Sequence, residues 1–284
     1  MMLLKALNLQ AQEAESSWSL GVLGGGINYQ GDLQPSSFSF ARAGFAGKIW
    51  IRKSFNEHFS LRGNLAIGEF GASDKYNRDY LQARNLSFYT NLKETSLDLE
   101  FSLLDIDRTR FTPFAYGSIA AFRFNPYTYD ANNKKVYLQP LSTEGQGLED
   151  YPDRKPYKLT QLAIGFGGGI RYKLNDHFIL QFEATQRKTF TDYLDDVSKT
   201  YVAQDRLLAA RGHQAVELAF RGDELHNSQA YPQDGEQRGT PKEMDWYYYM
   251  GLGIEISFDA FSNIFSGTKN RSRNVYNSRC PVVN

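Results

Sequence analysis

Apolar and polar side chains alternate with a period of two through most of this chain, in stretches close to the ~10 residues that a membrane-crossing β-strand needs. In 42–52, Phe45, Ile49 and Ile51 alternate with Arg42, Lys48, Trp50 and Arg52; in 59–67, Phe59, Leu61, Leu65 and Ile67 alternate with Ser60, Arg62 and Asn64. Leu97, Leu99, Phe101 and Leu103 oppose Ser96, Asp98, Glu100 and Ser102. Leu162, Ile164, Phe166, Ile170 and Tyr172 oppose Gln161, Gly165, Gly169, Arg171 and Lys173. Phe178, Leu180 and Phe182 oppose Gln181, Glu183 and Arg187, and Trp246, Tyr248, Met250, Leu252, Ile254, Ile256 and Phe258 oppose Tyr247, Tyr249, Gly251, Gly253, Glu255 and Ser257. The first strand, 17–29, starts with Trp18, Leu20 and Val22 on one face, and Gly24-Gly25-Gly26 predicts a bulge. Over 112–124 the phase is contested, because Phe114, Tyr116, Phe122 and Phe124 compete with Ile119 for the outer face.

These eight strands have connections of two kinds. Those at 55–59, 105–110 and 174–178 are tight; those at 31–40, 71–91, 126–157 and 191–244 are longer and grow along the chain. Outer-membrane barrels show this asymmetry of short periplasmic turns and long extracellular loops. The pattern therefore predicts an all-β, eight-stranded antiparallel outer-membrane β-barrel over 15–259, with both termini on the periplasmic side. The inward set holds Arg42, Lys48, Arg52, Arg62, Arg171, Lys173 and Arg187 with Asp98, Glu100, Glu183 and Glu255. In a lumen just wide enough for side chains, opposite charges pair into a plug, with a narrow selective channel as the alternative. Trp18, Trp50, Trp246 and the run to Tyr249 read as interfacial girdles. "KSFNEHFSLR" and "YKLNDHFILQ" are near copies, and their His58 and His177 fit turn chemistry better than metal binding.

Composition agrees where it bears on the question. Lys plus Arg and Asp plus Glu balance at 32 each, which argues against a nucleic-acid partner. The absence of an apolar run of about 18 residues excludes an ordinary transmembrane helix. The one cysteine, Cys280, rules out an internal disulfide and suggests a free thiol or an intermolecular bond. Residues 1–14 read as the truncated remainder of a signal peptide with a possible cut after Ala11.

In the longest loop, 203–226 predicts one or two short helices broken near Gly212, capping the mouth. Asp192, Asp195 and Asp196 in "KTFTDYLDDVSKTY" read as loop-fixing side chains. With His213 the pair Asp195–Asp196 has the residue types of an outer-membrane hydrolase, but no nucleophile elbow or metal motif accompanies it, so the chain reads as a non-enzyme without a cofactor. From Ala260 to Asn284 there is no acidic residue, and Lys269, Arg271, Arg273 and Arg279 precede or flank Cys280. This basic tail is either a disordered end or a periplasmic docking segment that places Cys280 for a covalent link in an oxidising compartment.

"YQGDL" (29–33), "RNLSF" (84–88), "PLSTEGQGL" (140–148), "KTFTDYLDDVSKTYV" (188–202) and "DWYYYMGLG" (245–253) resemble the motifs of PorG-type outer-membrane barrels. These belong to the type IX secretion and gliding apparatus of Bacteroidota. The likeness runs from about residue 17 to the end, and "TFTDYLDDVS" is its specific part. It implies a protein-transport anchor that meets a PorK-type lipoprotein and PorN-type ring through Lys269, Arg271, Arg273, Arg279 and an intermolecular disulfide at Cys280. A small passive channel or adhesin-like barrel is the alternative, and a hydrolase the remote one.

Overall fold

The structure, a computed structural model, describes residues 17–36 and 43–258. Residues 1–14, Arg42 and the tail 260–284, with Lys269, Arg271, Arg273, Arg279 and Cys280, lie outside the described residues. The strands in chain order are β1 (Trp18–Gln30), β2 (Gly44–Ser54), β3 (Phe59–Ser73), β4 (Ser87–Ser102), β5 (Phe111–Arg123), β6 (Pro126–Tyr129), β7 (Lys135–Tyr137), β8 (Thr160–Lys173), β9 (Phe178–Thr189) and β10 (Trp246–Ser257). Eight of them follow one another as β3-β2-β1-β10-β9-β8-β5-β4, and β4 pairs back onto β3 from Phe59↔Phe101 to Ser73↔Ser87. All these pairings are antiparallel, so the expected eight-stranded barrel is the observed fold. The hairpin β6–β7 is an addition: it pairs with the outer end of β4 at Tyr89 and Thr90.

Closure satisfies the wall's backbone groups from strand to strand, the condition for a sheet in hydrocarbon. Alternation then sorts the side chains. Phe45 is 91% exposed, and Leu65, Ile67, Ile119, Leu162 and Leu252 lie between 58% and 65%. An apolar belt around the whole circumference far exceeds the few hundred Å² that a water-facing surface carries, and it is the lipid-facing wall of an outer-membrane barrel. Among the described residues no helix is long and apolar enough to cross a membrane. The strands β3 and β4 hold 15 and 16 residues. At ~3.3 Å per residue they reach about 50 Å, well beyond the 9–11 residues that span the bilayer, so their far ends stand clear of it and carry the long loops.

The tight turns repeat one device. Asn56 Oδ1 accepts from the backbone N–H of His58 (2.9 Å) and Phe59 (2.8 Å), and Asn175 Oδ1 accepts from those of His177 (2.9 Å) and Phe178 (3.0 Å). His58 rests its ring on Phe101, with Nδ1 2.9 Å from the Ser102 carbonyl oxygen. Among the described residues no group of three or more His, Cys, Asp or Glu is arranged to hold a metal ion.

Two expectations are corrected, and the contested phase of the fifth strand is decided. The Gly24–Gly26 run forms no bulge: β1 stays in continuous register with both neighbours, and a Cβ on Gly25 would strike the Met250 carbonyl. On β5, Ile119 takes the outer face and Phe114, Tyr116 and Phe122 point inward, and Phe124 just past its end is fully buried. Trp50 is no girdle residue but is buried inside the barrel, as are Tyr247 and Tyr249; Trp18 is exposed and Trp246 half-buried on the outer side. A polar partner inside explains the inward aromatics: Trp50 Nε1 donates to Glu255 at 3.0 Å, and the Tyr247 and Tyr249 hydroxyls donate to Glu94 at 2.7 and 3.1 Å.

Candidate functional site

The inward positions of the strands build a stack of charged layers. Nearest the tight turns, Glu100 receives Arg52 Nε (2.7 Å) and Arg171 (2.6 Å), while Arg52 also pairs with Glu255 and donates to Gln181 at 3.0 Å. In the middle, Arg62 reaches Asp98 (2.8 Å), Glu100 (2.9 Å) and Glu183 (2.7 Å); Lys48 pairs with Glu183, which also accepts from the Tyr116 hydroxyl at 2.6 Å. Above it, Arg187 pairs with Glu94 at 2.9 Å. Among the described residues five buried cations thus meet five buried carboxylates, every one of them in an ion pair. Lys173 stands apart at the turn-side rim, paired with the exposed Asp107 and Asp176. Over the charged layers lies an apolar floor in which Phe70 stacks between Tyr29 and Tyr247, with Phe88, Phe122 and Phe124 packed around them. These cross-linked buried groups fill the middle of the lumen, and at the tight-turn end a cleft lined by Ser19, Arg52, Arg171 and Glu255 opens below them.

The loops close the far end as an interlocked cap. Glu144, fully buried, accepts from the Ser198 N–H (2.9 Å), the Lys199 N–H (3.0 Å) and the Tyr193 hydroxyl (3.1 Å), and pairs with Arg238 at 3.0 Å. Arg238 also donates to the Asp196 carbonyl (2.5 Å) and the Ala219 carbonyl (3.2 Å). The Asp196 carboxyl accepts from the Thr143 hydroxyl at 2.5 Å and the Tyr157 hydroxyl at 2.6 Å. Asp195 accepts from the Tyr29 hydroxyl (2.5 Å) and from the N–H groups of Leu33 (3.2 Å) and Val197 (2.9 Å). Arg84 pairs with Asp74 at 2.7 Å and donates to the Arg238 carbonyl. Asp245 accepts from the Leu194 N–H at 2.8 Å. Helices Gln204–Arg211 and His213–Ala219 break at Gly212, whose φ of 82° suits a residue without a Cβ, and they pack Leu207, Ala215 and Ala219 against Val202.

The five sequence stretches that carry the family resemblance therefore meet at one end of the barrel. Tyr29 and Leu33 hold Asp195, Thr143 and Glu144 hold 196–199, Arg84 touches the 238 segment, and Asp245 ties back to Leu194. His213 is exposed at its helix start, whereas Asp195 and Asp196 are buried among other partners, so the loop does not assemble the acid/base set considered from sequence. Asp192 is buried as well, and neither of its oxygens makes a well-formed hydrogen bond, with only Ser198 near enough to favour its carboxylate.

Burial sets the protonation of this cap. Desolvation and the neighbouring Asp195 push Asp192 up to about 9; desolvation and Asp32 push Asp195 up to about 8. Desolvation raises Asp196 only to about 6, because Arg238 and its two hydroxyl donors favour the carboxylate. Arg238 stays charged despite its burial, held up by Glu144 and Asp196.

Sequence reasoning missed Glu94, Glu144 and Arg238. Glu94 continues the phase of Asp98 and Glu100 and needed only a longer reading of the same alternation. Glu144 sits inside a quoted motif, but its partners lie some 50 residues on and leave no local trace. Arg238 has no periodic signal at all.

A family model described as a domain of unknown function, DUF6089, matches residues 1–206. No curated protein matches the chain. Among solved structures it is similar to Neisserial surface protein A (NspA), at 8% identity over 84% of this chain and 96% of that one, with a TM-score of 0.41. It is similar to Ail, the attachment invasion locus protein of Yersinia pestis, in complex with the heparin analogue sucrose octasulfate, at 9% identity over 85% and 99%, with a TM-score of 0.40. It is also similar to the outer membrane protein OprG from Pseudomonas aeruginosa, at 8% identity over 86% and 98%, with a TM-score of 0.37.

Proposed function

The chain belongs to the DUF6089 family, and we propose that it serves as an outer-membrane anchor of the type IX secretion and gliding apparatus, tying a periplasmic ring of PorK-type lipoprotein and PorN-type subunits to the membrane. One observation carries the choice of a scaffold over a channel: five buried cations and five buried carboxylates cancel inside a lumen that an aromatic floor and a knotted cap close from one end. A barrel filled this way transmits no solute and carries no catalysis in this reading; it offers its two ends. The tight-turn end, where β1 starts and β10 finishes, faces the periplasm and delivers the basic segment 260–284 to the ring.

Cys280 then forms a disulfide with the lipoprotein subunit. Non-reducing gels of outer membranes are expected to show a band of higher mass that reduction abolishes and that Cys280→Ser lacks. A monomer band in both strains would exclude the covalent link and leave the anchor to the tail's charge alone.

A further inference from the structure

Four carboxyl groups from separate chain segments converge under the cap: Asp32 just after β1, Asp192 and Asp195 just after β9, and Asp245 just before β10. Asp192, Asp195 and Asp245 are buried, Asp245 fully so, and Asp32 is half-buried. Their surroundings are unequal. Asp195 has three donors, from Tyr29, Leu33 and Val197. Asp32 Oδ2 accepts from the Thr240 N–H at 3.0 Å. Asp245 has one donor, the Leu194 N–H, and its Oδ1 is buried without a partner. Asp192 has no well-formed hydrogen bond to either oxygen, and only the nearby Ser198 favours its carboxylate. A Cβ placed on Gly31 would overlap both Asp245 Oδ1 and the Tyr29 hydroxyl, so Asp245 points toward the same space that Tyr29 and Asp195 share.

Ionised carboxylates buried this way require neutralisation. Among the described residues the buried cations facing the cluster are Arg84 from the β3–β4 loop and Arg238 from the β9–β10 loop, each already paired, with Asp74 and with Glu144 respectively, while Lys188 and Lys242, which share a cleft with Asp32, are exposed to solvent. The other titratable groups around it, Glu144 and Tyr157 from the β5–β8 loop, Tyr29 on β1, and Tyr193 and Asp196 beside Asp192, supply no further cation. Among the described residues no three acids stand as a metal cage. Protons are what remains.

We propose that Asp192 and Asp245 are a proton-held latch: carried as carboxylic acids they let the β9–β10 loop close on the barrel mouth, and their ionisation releases it. The direction agrees with the causes above, since desolvation and like charge raise Asp192 to about 9 and raise Asp245 as well. A carboxyl raised in the closed cap above its ordinary value of about 3.9 stabilises closure fully below that pH. That stabilisation is lost progressively as pH climbs toward about 9. Each such group makes opening about tenfold easier per pH unit across this window.

The test is hydrogen exchange at the Leu194 and Val197 amides of the full chain in detergent. Rates are expressed as protection factors, so that intrinsic base catalysis divides out. Wild-type protection is expected to fall between about pH 5 and pH 9, while the heat-dependent gel shift of the barrel stays unchanged. Asp192→Asn, a permanently neutral isostere, is expected to flatten the fall by about tenfold per pH unit. Asp245→Asn is the second variant if the first does not give a heat-shifting barrel. A flat wild-type profile overturns the latch, and that arm needs no variant. Wild-type slope in a folded variant also overturns it, as does protection that Ca²⁺ restores at high pH and a chelator removes at neutral pH, which would make a cation the neutralising agent.

Discussion

At the scale of single residues, Glu144 and Arg62 hold corresponding positions in the cap and in the lumen. Each is buried and joins several partners, so removing either leaves buried opposite charges uncompensated. The loss on breaking such a pair is about 3–5 kcal/mol, larger than the pair's worth against an apolar replacement. Arg62→Ala is therefore expected to lower barrel stability by about 3–5 kcal/mol, read as an earlier midpoint in urea titrations of the heat-shifted band. Glu144→Ala is expected to act locally: protease should cut within 196–202 while the barrel midpoint moves little. Equal loss of barrel stability in both variants would show that cap and lumen unfold as one unit.

Among elements, the closing pair β1–β10 is sensitive to side-chain size, as are β2–β3 at Gly44 and β8–β9 at Gly169. Gly25 lies against the Met250 carbonyl, where a Cβ has no space. Gly25→Ala should therefore weaken closure and reduce the yield of heat-shifting barrel, whereas Gly24→Ala, with open space around its Cα, should not. The strand phases were legible because lipid and lumen demand opposite polarities at successive positions, which leaves a period-two record. Legibility failed where that demand lapses. Aromatics with a polar handle, such as Trp50 and Tyr247, satisfy a carboxylate inside as well as a headgroup outside, and alternation alone cannot place Phe122 once the floor of the cap is apolar. The cap's own bonds join residues far apart in sequence; the acidic run 192–196 marked the place, while Glu144 and Arg238, which hold it shut, had no pattern to betray them.

On the scale of the whole molecule, a lumen whose described buried charges all pair separates the loop end from the tight-turn end. The purified protein in planar bilayers is expected to give no stable conductance step, and a reproducible one would favour the channel reading. The anchor itself stands or falls on the tight-turn end. The most direct measurement is a pull-down from detergent-solubilised envelopes with the intact chain and with residues 267–284 deleted. The intact protein should bring down the periplasmic lipoprotein and ring subunits. The deletion should lose them while still showing a heat-shifting barrel. Equal recovery of the ring subunits by both, or by neither, would contradict an anchor that works through its tail.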